Sequence, residues 1–411
     1  MKRRLLIPAL LALAALAGIA IAASRGSQDD AHDPATSASP QADARTLERG
    51  QYLAQAGNCI ACHTRQGGAS FAGGRGIETP FGVVYAPNIT PDPKTGIGAW
   101  SAADFWRAMH QGRSKDGRLL YPAFPYPNFT QVTREDSDAI YLYLRSLPAV
   151  AQANREHALS FPYSTQAALA VWRALYFKPA SFELDARKSV QWNRGRYLVQ
   201  GLGHCATCHS SRNFLGGIES GTELSGGMIP GQNWYAPPLA VDAEFADLLK
   251  KGTSRHGAVM GPMAEVVFRS TQHLSEQDLA SIETFLADVP KPVPAASSSP
   301  KRDRALLGAG RKIYENRCAS CHGNQGEGVP GAYPALADNR TVTSASPVNV
   351  VRAIVLGGMA PTTAGNPRPY GMPPFGAELN DAEIAAVSTF VRSAWGNDAP
   401  TVSAVEVLRA R

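Results

Sequence analysis

The stretch that decides the fold is CIACH at residues 59–63, and the same five-residue pattern returns as CATCH at 205–209 and CASCH at 318–322. The three copies use all six cysteines of the 411-residue chain, so no thiol is left over for a disulfide. In each copy the two cysteines lie about one helical turn apart, and a histidine follows the second cysteine directly. This repetition predicts one kind of site, built three times.

The Cys-x-x-Cys-His pattern is the attachment signature of a c-type haem. Its thiols form thioethers with the porphyrin vinyl groups, and its histidine is the proximal iron ligand. One copy alone would also fit a redox cysteine pair or half of a zinc site, but three copies that all end in histidine favour haem. The sequence therefore predicts three covalently bound haem c groups. The attachment residues are Cys59, Cys62, Cys205, Cys208, Cys318 and Cys321, and the proximal ligands are His63, His209 and His322.

The N-terminus indicates export from the cytoplasm. Three basic residues at positions 2–4 precede an apolar run from residue 5 to residue 23. A charged start followed by such a run is typical of a cleaved signal peptide, although the run is also long enough to be an uncleaved anchor. Both interpretations place the rest of the chain outside the cytoplasm, where c-type haem is attached. Residues 24–44 are polar and predict a flexible leader.

Size and charge exclude several classes of protein. A chain of 411 residues is too long for one ordinary domain, and a single long apolar run excludes a multi-pass membrane protein. The formal net charge is +6, but removal of residues 1–23 would take away three positive charges, and each haem would add two propionates. No basic run with interleaved aromatic residues occurs, so no nucleic-acid partner is expected.

The surroundings of the motifs also recur, which indicates a tandem array of one domain. A short helix is predicted to run into each motif from the similar segments at 49–53, 194–198 and 310–314. Tyr-Ala-Pro or Tyr-Pro-Ala follows each motif, at 85–87, 235–237 and 333–335. A middle helix is then predicted at 105–112, 245–252 and 350–357.

Each repeat is predicted to close with a capped amphipathic helix. Thr133, Ser275 and Asn380 are the candidate N-caps, and each is followed at the third position by an acidic residue. The order helix, haem motif, loop and closing helix is that of the class I cytochrome c fold. The sequence therefore predicts an all-α protein of three tandem class I cytochrome c domains, at 45–150, 191–290 and 305–400.

Two segments join the predicted domains. Residues 151–190 include an apolar, aromatic stretch at 167–177, for which a helix docked between domains is favoured over a membrane contact. Residues 291–304 are rich in proline and serine and are expected to form a linker that lets the third domain move.

A low-spin electron-transfer haem needs a sixth ligand, and methionine from the loop before the closing helix is expected. In the third domain this residue is Met372, held between prolines and glycine in GMPPF at 371–375. In the second domain Met260 and Met263 compete. Met263 is favoured because it follows a proline.

The first domain departs from this pattern. Phe124 stands where the methionine is expected, and phenylalanine cannot bind iron. His110 and Met109 are the nearby candidates. Alignment of the repeats places Met109 in an apolar packing position and His110 opposite Lys250 and Val355, and neither position is typical of a ligand. A five-coordinate or weakly ligated iron is therefore the first interpretation for haem 1, with His110 and Met109 as the alternatives.

Longer motifs outside the haem signatures carry a resemblance to a known family. They are TPFG at 79–82, NITPD at 88–92, TGIG at 95–98, GLGH at 201–204, GPMAEVV at 261–267 and WGN at 395–397. Over residues 45–400 the chain resembles the three-haem cytochrome c subunit of bacterial membrane-associated dehydrogenases.

The resemblance implies a non-catalytic electron-transfer subunit on the periplasmic side of the cytoplasmic membrane. In that family the catalytic partner is a quinoprotein alcohol dehydrogenase, a flavin-dependent sugar or gluconate dehydrogenase, or a molybdenum enzyme for aldehydes or N-heterocycles. Electrons from it reach ubiquinone, a terminal oxidase or another cytochrome at the membrane surface. The resemblance also implies Met263 and Met372 as axial ligands.

The alternative function is that of a haem enzyme. An open coordination site at haem 1 could bind peroxide, as in multihaem peroxidases. The one string with the spacing G-x-G-x-x-G, at residues 326–331, follows a haem motif and not a strand, so it does not indicate a nucleotide-binding site. This favours a chain without a substrate-oxidising site of its own. Candidates for contacts with haem propionates, as against simple packing, are His204, Arg212, Asn213 and Trp234.

Overall fold

The computed structural model describes residues 42–255, 257–290 and 303–411. The predicted export signal, the leader up to residue 41 and residues 291–302 of the predicted linker lie outside these ranges. The described residues form two compact units. The first holds the residues up to Arg187 with Tyr197–Thr207 and Arg212–Ile218, and the second holds Lys188–Arg196, Cys208–Ser211 and Glu219–Arg411. Within the described ranges, no helix has the length and apolar character needed to cross a membrane.

The first unit combines helices with a small antiparallel sheet. Its helices are α1 (Ala44–Ala56), α2 (Cys59–Cys62), α3 (Ala102–Gln111), α4 (Tyr126–Phe129), α5 (Arg134–Ser146) and α6 (Gln166–Tyr176). Strands β1 (Gly76–Thr79), β2 (Gly82–Tyr85) and β3 (Ala158–Leu159) pair in that order, with Thr79 opposite Gly82 and Val83 opposite Ala158. A π-helical turn at Tyr197–Leu202 and a 3-10 turn at Cys205–Thr207 lead into and through the second motif.

The second unit contains the remaining helices and three short strand pairs. Its helices are α7 (Val190–Arg196), α8 (Phe245–Lys251), α9 (Pro262–Arg269), α10 (Glu276–Asp288), α11 (Arg304–Arg317), α12 (Ala319–His322), α13 (Arg340–Thr343), α14 (Val348–Leu356), α15 (Asp381–Val391) and α16 (Ala404–Ala410). The antiparallel pairs are β4 (Gly227–Ile229) with β5 (Trp234–Ala236), β6 (Thr253–Ser254) with β7 (Gly257–Ala258), and β8 (Gly358–Met359) with β9 (Gly371–Met372).

Helices predominate, as predicted, but the all-α expectation omitted these strands. Most of them lie in the loops between the helices, where neighbouring chain segments satisfy each other's backbone N–H and C=O groups. They are two to four residues long, too short for an alternating hydrophobic pattern to reveal them. The bounds of the three domains stay a prediction.

The closing helices begin where the sequence places them. The side chains of Thr133, Ser275 and Asn380 accept hydrogen bonds from the backbone N–H groups three residues later. Asn380 completes a capping box, because the side chain of Glu383 accepts from the backbone N–H of Asn380. The middle helices α3, α8 and α14 are also confirmed, with starts up to three residues earlier than predicted.

In each of the three repeats, the first helix crosses the closing helix at a glycine. A methyl group added at each glycine would lie 1.9–2.2 Å from a carbonyl oxygen of the partner helix. The pairs are Gly50 with Ala139, Gly195 with Ser281 and Gly310 with Ala386. The two backbones are therefore in direct contact, which only glycine permits. Four positions after the residue that supplies the carbonyl, each last helix has an aromatic residue whose Cβ also lies close to the glycine. These aromatic residues are Tyr143, Phe285 and Phe390.

Two of these crossings carry an ion pair beside the glycine. Arg49 donates from Nε to Asp136 at 2.8 Å, and Arg194 donates to both oxygens of Asp278 at 2.8 and 2.7 Å. The aspartates are the acidic residues of the N-terminal caps, so one carboxylate lies near a helix start and also accepts from an arginine of the first helix. The third pair of helices has Ala309 at the arginine position and does not repeat this bridge.

The apolar stretch at 167–177 forms a docked helix, the favoured alternative. Gln166, at the start of α6, bonds to both the N–H and the C=O of Leu119. Leu169 and Ala170 pack with the same leucine in a small buried cluster. Farther along α6, Nε1 of Trp172 donates to the carbonyl of Leu215 at 3.0 Å.

Within the second unit, segments from the second and third predicted domains are joined directly. Asn349 of α14 makes two hydrogen bonds to the backbone of Tyr235 in β5, at 3.0 and 2.7 Å. Arg340 of α13 forms an ion pair with Asp242 at 2.6 Å. These contacts join α13 and α14 to the segment that contains β5. The movement allowed by the linker at 291–304 stays a prediction.

The helix crossing generates a stability prediction with a control in the same helix. Gly310→Ala forces a methyl group against the carbonyl of Ala386 and should destabilise the protein by about 1–3 kcal/mol. Gly308→Ala, also in α11, meets nothing within 4 Å and should stabilise it by about 0.5–1 kcal/mol, because alanine favours helix. Thermal unfolding of both variants checks this, and equal midpoints would contradict the close crossing.

Candidate haem-attachment sites

The three motif histidines share one hydrogen-bonding arrangement. Nδ1 of each histidine lies within hydrogen-bond distance of a proline carbonyl oxygen. The pairs are His63 with Pro87 at 2.8 Å, His209 with Pro237 at 2.6 Å and His322 with Pro334 at 3.0 Å. A carbonyl oxygen can only accept, so Nδ1 must carry the proton. The lone pair is then on Nε2, the tautomer that a metal-binding histidine needs.

A glycine holds the backbone of each of these histidines. The histidine carbonyl accepts from the N–H of Gly73, Gly226 or Gly328, at 2.7, 2.9 and 2.8 Å. All three glycines have positive φ, between 66° and 89°, a conformation that side chains disfavour. A Cβ on any of them would lie within 2.9 Å of the proline segment that bonds the histidine ring or of the residue after it. The glycine thus allows the segment of the motif histidine and the proline segment to lie in close contact.

Burial sets the protonation states at the motifs. It lowers the pKa of His63, His209 and His322 below the ordinary value, and the proline carbonyl opposes this only in part. It raises the pKa of Cys59 to about 12 and that of Cys318 to about 11. Each motif thus presents neutral imidazole at neutral pH, and the first and third also present a protonated thiol.

These donors fit a haem c. Paired thiols a helical turn apart and a neutral imidazole with a free Nε2 are what vinyl groups and a haem iron require. No disulfide joins the six cysteines. In the described part of the chain, no three His, Cys, Asp or Glu side chains cluster as a bound metal ion would need.

Two arginines, at different distances from their motifs in sequence, donate hydrogen bonds to equivalent backbone carbonyl oxygens of the motifs. Arg75 donates to the carbonyl of Ala61 at 2.6 Å, and Arg212 donates to that of Thr207 at 2.8 Å. Ala61 and Thr207 are both the third residue of their motif. The sequence does not single out Arg75, since the two arginines follow their motif histidines at different spacings.

The other two candidates for propionate contacts have structural partners. Asn213 accepts from the N–H groups of Leu215 and Gly217, and it therefore shapes a turn. Trp234 lies under the guanidinium of Arg352, 5.0 Å from its ring centroid, and a Cβ at Gly261 would meet its ring. These contacts agree with the packing alternative.

The two competing methionines, Met260 and Met263, have different surroundings. A Cβ added at Gly358 in β8 would lie 2.2 Å from Cε of Met260, so Met260 packs against that strand. Met263 is the second residue of α9 and is half-buried. Met372 lies in β9, opposite Gly358, and packs against the core that includes Ile354.

The two residues considered as sixth ligand of haem 1, Met109 and His110, have different surroundings. Met109 is buried in the core, with 4% of its surface exposed. The ring of His110 stacks on Trp106 with centroids 4.3 Å apart. Burial lowers the pKa of His110, and a hydrogen bond to the backbone of Thr130 opposes this. Its Nδ1 is buried without a hydrogen-bond partner. Phe124 packs on Phe129.

His204, the residue before the second motif, lies against the first motif's segment. Burial lowers its pKa, and the backbone of Gly57 opposes this only in part. Its ring meets Phe129 edge-on at 5.5 Å between centroids. The sequence drew attention to His204 for a propionate contact, but could not place it beside Gly57.

Comparison with known proteins agrees with this geometry. The cytochrome c family model matches residues 47–148 and 308–395. The chain is 37% identical over 401 residues to the cytochrome c subunit of alcohol dehydrogenase (quinone) from Komagataeibacter europaeus, covering 90% of this chain and 85% of that one. It is 36% identical over 404 residues to the cytochrome c subunit of gluconate 2-dehydrogenase from Pantoea cypripedii, covering 91% of each.

A third relative is a longer protein, one of the subunits of nicotinate dehydrogenase from Pseudomonas putida. It is 39% identical over 373 residues, which cover 87% of this chain and 31% of that protein. The three relatives thus belong to dehydrogenases named for different substrates. With three Cys-x-x-Cys-His sites of one geometry and relatives that match along nearly the whole chain, this protein belongs to the family of dehydrogenase cytochrome c subunits.

Proposed function

We propose that this chain carries three haem c groups, one in each of three domains at 45–150, 191–290 and 305–400, and relays electrons between a dehydrogenase and a membrane acceptor. The observation that carries the proposal is the threefold recurrence of the histidine, proline and glycine arrangement beside paired cysteines. A chain with one site would suit a shuttle. Three sites in one chain suit a fixed relay.

The chain's own residues would hold all three haems, and those of the second and third domains would be held from both sides. The six motif cysteines would attach the vinyl groups, and His63, His209 and His322 would bind iron through Nε2. Met263 and Met372 are the sixth ligands that we propose for haems 2 and 3. Bound haem supplies reversible one-electron chemistry, and the protein tunes its potential through the axial ligand and burial.

The names of the relatives suggest the class of catalytic partner. They include cytochrome c subunits of alcohol, gluconate and fructose dehydrogenases and one of the subunits of nicotinate dehydrogenase. We propose that a quinoprotein, flavoprotein or molybdenum subunit delivers electrons to this chain on the periplasmic side of the membrane. The acceptor would be ubiquinone, a terminal oxidase or another cytochrome. The relatives give the peroxidase alternative no support.

Gene deletion in the native host tests the relay. Membranes from the deletion strain should lose quinone reduction with one of the substrates tested, among alcohols, sugar acids, aldehydes and N-heterocycles. Reduction of an artificial dye with that substrate should persist, because the catalytic subunit remains. The wild-type gene should restore quinone reduction, and a Cys318→Ala, Cys321→Ala double variant should not. Unchanged quinone reduction after deletion with every substrate would contradict the proposal.

The ligand of haem 2 can be tested with a matched pair of variants. Met263→Leu removes the proposed sulfur ligand, so the spectrum should gain a high-spin component and the potential of one haem should fall, because methionine raises it. Met260→Leu should leave both unchanged, since Met260 packs against Gly358. The reverse pattern would assign the ligand to Met260.

For haem 1 we propose an iron without a strong sixth ligand, because Phe124 occupies the methionine position. The oxidised protein should give one high-spin and two low-spin EPR signals, and the reduced protein should bind one carbon monoxide per chain. His110→Phe and Met109→Leu should change neither result. Low-spin signals alone in the wild type would refute the proposal, and a new high-spin signal in one variant would identify that residue as the ligand.

A further inference from the structure

The two segments that contain the proposed distal methionines lie against each other. The second distal loop, at 257–263, runs from β7 into α9 and contains Met263. The third distal loop, at 357–375, runs from the end of α14 through the β8–β9 pair and contains Met372. Both loops belong to the second compact unit, so their contacts are those of one packed body.

Met260 makes the central contact between the two loops. It lies three residues before Met263. A Cβ added at Gly358 would lie 2.2 Å from Cε of Met260 and 3.9 Å from its Sδ. The end of the Met260 side chain therefore fills the space that a side chain at 358 would take. Gly358 is also the strand partner of Met372, so one glycine lies between Met260 and the proposed ligand of haem 3.

The strand that pairs with Met372 has little to anchor it from its own side chains. Gly357 ends α14 with a φ of 64°, and a Cβ there would lie 2.4 Å from the carbonyl oxygen of Met372. The backbone of Gly357 and Gly358 is thus in direct contact with that of Met372. Because neither glycine has a side chain, what packs against this backbone from outside contributes to its position.

A second contact attaches the third distal loop to the end of α8. The hydroxyl of Thr363, which is 4% exposed, donates to the carbonyl of Lys251 at 3.0 Å. A Cβ at Gly252 would lie 2.4 Å from Cγ of Pro361. Within the second repeat, the N–H of Val259 donates to the carbonyl of Gly252 at 2.9 Å. The two contacts with the third distal loop are therefore made by segments that are bonded to each other.

We propose that Met260, from the second repeat, is a positioning residue for haem 3. Its side chain holds the β8–β9 pair in the place where the sulfur of Met372 reaches the iron. This inference rests on the proposed ligation of haem 3 by Met372. A flexible, unbranched side chain suits this role, since methionine adapts its shape to fill an irregular gap. Because contacts behind an axial ligand orient it and tune the metal, the second repeat would set how firmly the third haem is ligated.

The test follows methionine ligation of haem 3 in the oxidised holoprotein. Met263→Leu serves as the parent variant, because it removes the ligand proposed for haem 2 and leaves the sulfur-to-iron charge-transfer band of Met372. Raising the pH displaces methionine, and the midpoint of the loss of this band measures how firmly Met372 is held. Addition of Met260→Ala should lower the midpoint by about one pH unit, which corresponds to a tenfold weaker hold.

Two further variants of the same parent are the controls. Met260→Leu keeps the volume of the side chain and should keep the midpoint of the parent. Met359→Ala makes the same truncation at the neighbouring residue of β8, whose side chain is 58% exposed, and should also leave the midpoint unchanged. Haem number by intact mass and thermal unfolding of each variant separate a local effect from a loss of folded protein.

The outcomes separate this inference from the ligand assignment. An unchanged midpoint with Met260→Ala would overturn the inference and leave Met372 as the ligand. Loss of half of the band without a shifted midpoint would make Met260 the ligand of haem 2, which also overturns the inference. A parent without the band would refute Met372 as the ligand, and the inference with it.

A second variant decides if the Met260→Ala protein does not mature. Thr363→Val keeps the shape of the side chain and removes the hydrogen bond from the third distal loop to Lys251. A lower midpoint than in the parent would support the inference that the second repeat holds the loop of Met372. The midpoint of the parent would overturn it.

Discussion

Everything in each repeat depends on the crossing of its first and last helices at a glycine. The first helix leads into the cysteines and the proximal histidine, and the last helix follows the loop that should supply the distal ligand. Contact between backbone and backbone at Gly50, Gly195 or Gly310 fixes the distance between these two ends. A larger side chain there would separate the two faces between which a porphyrin must fit, so the crossing constrains the cofactor site as well as the core.

The second constraint acts on the histidine. Burial favours neutral imidazole, the proline carbonyl selects the tautomer, and the glycine with positive φ brings the proline segment close. These effects act together, because a charged or rotated ring would leave Nε2 unable to bind iron. The Tyr-Ala-Pro and Tyr-Pro-Ala segments thus serve the haem site, because the carbonyl oxygen of their proline orients the motif histidine.

The sequence predicted what is local. Cys-x-x-Cys-His, the caps at Thr133, Ser275 and Asn380, and the helices between them are encoded within a few residues. It did not predict what depends on distant contacts: the proline carbonyls, Arg75 on Ala61, or Met260 against Gly358. The strands were missed because two to four residues are too few for a period to emerge. The π-helical turn was visible only as a longer spacing from Gly195 to Cys205, ten positions against nine in the first repeat and eight in the third.

The repeats agree inside each domain and differ where domains meet. Glycine crossings and histidine–proline bonds occur three times, because each haem site imposes the same demands. By contrast, Asn128 bonds to Gln200 in the first unit, and Asn349 bonds to Tyr235 in the second, with different partners and different elements. The residues that break the repeat, Asn128 and Asn349 among them, therefore make the contacts that the three similar sites do not share.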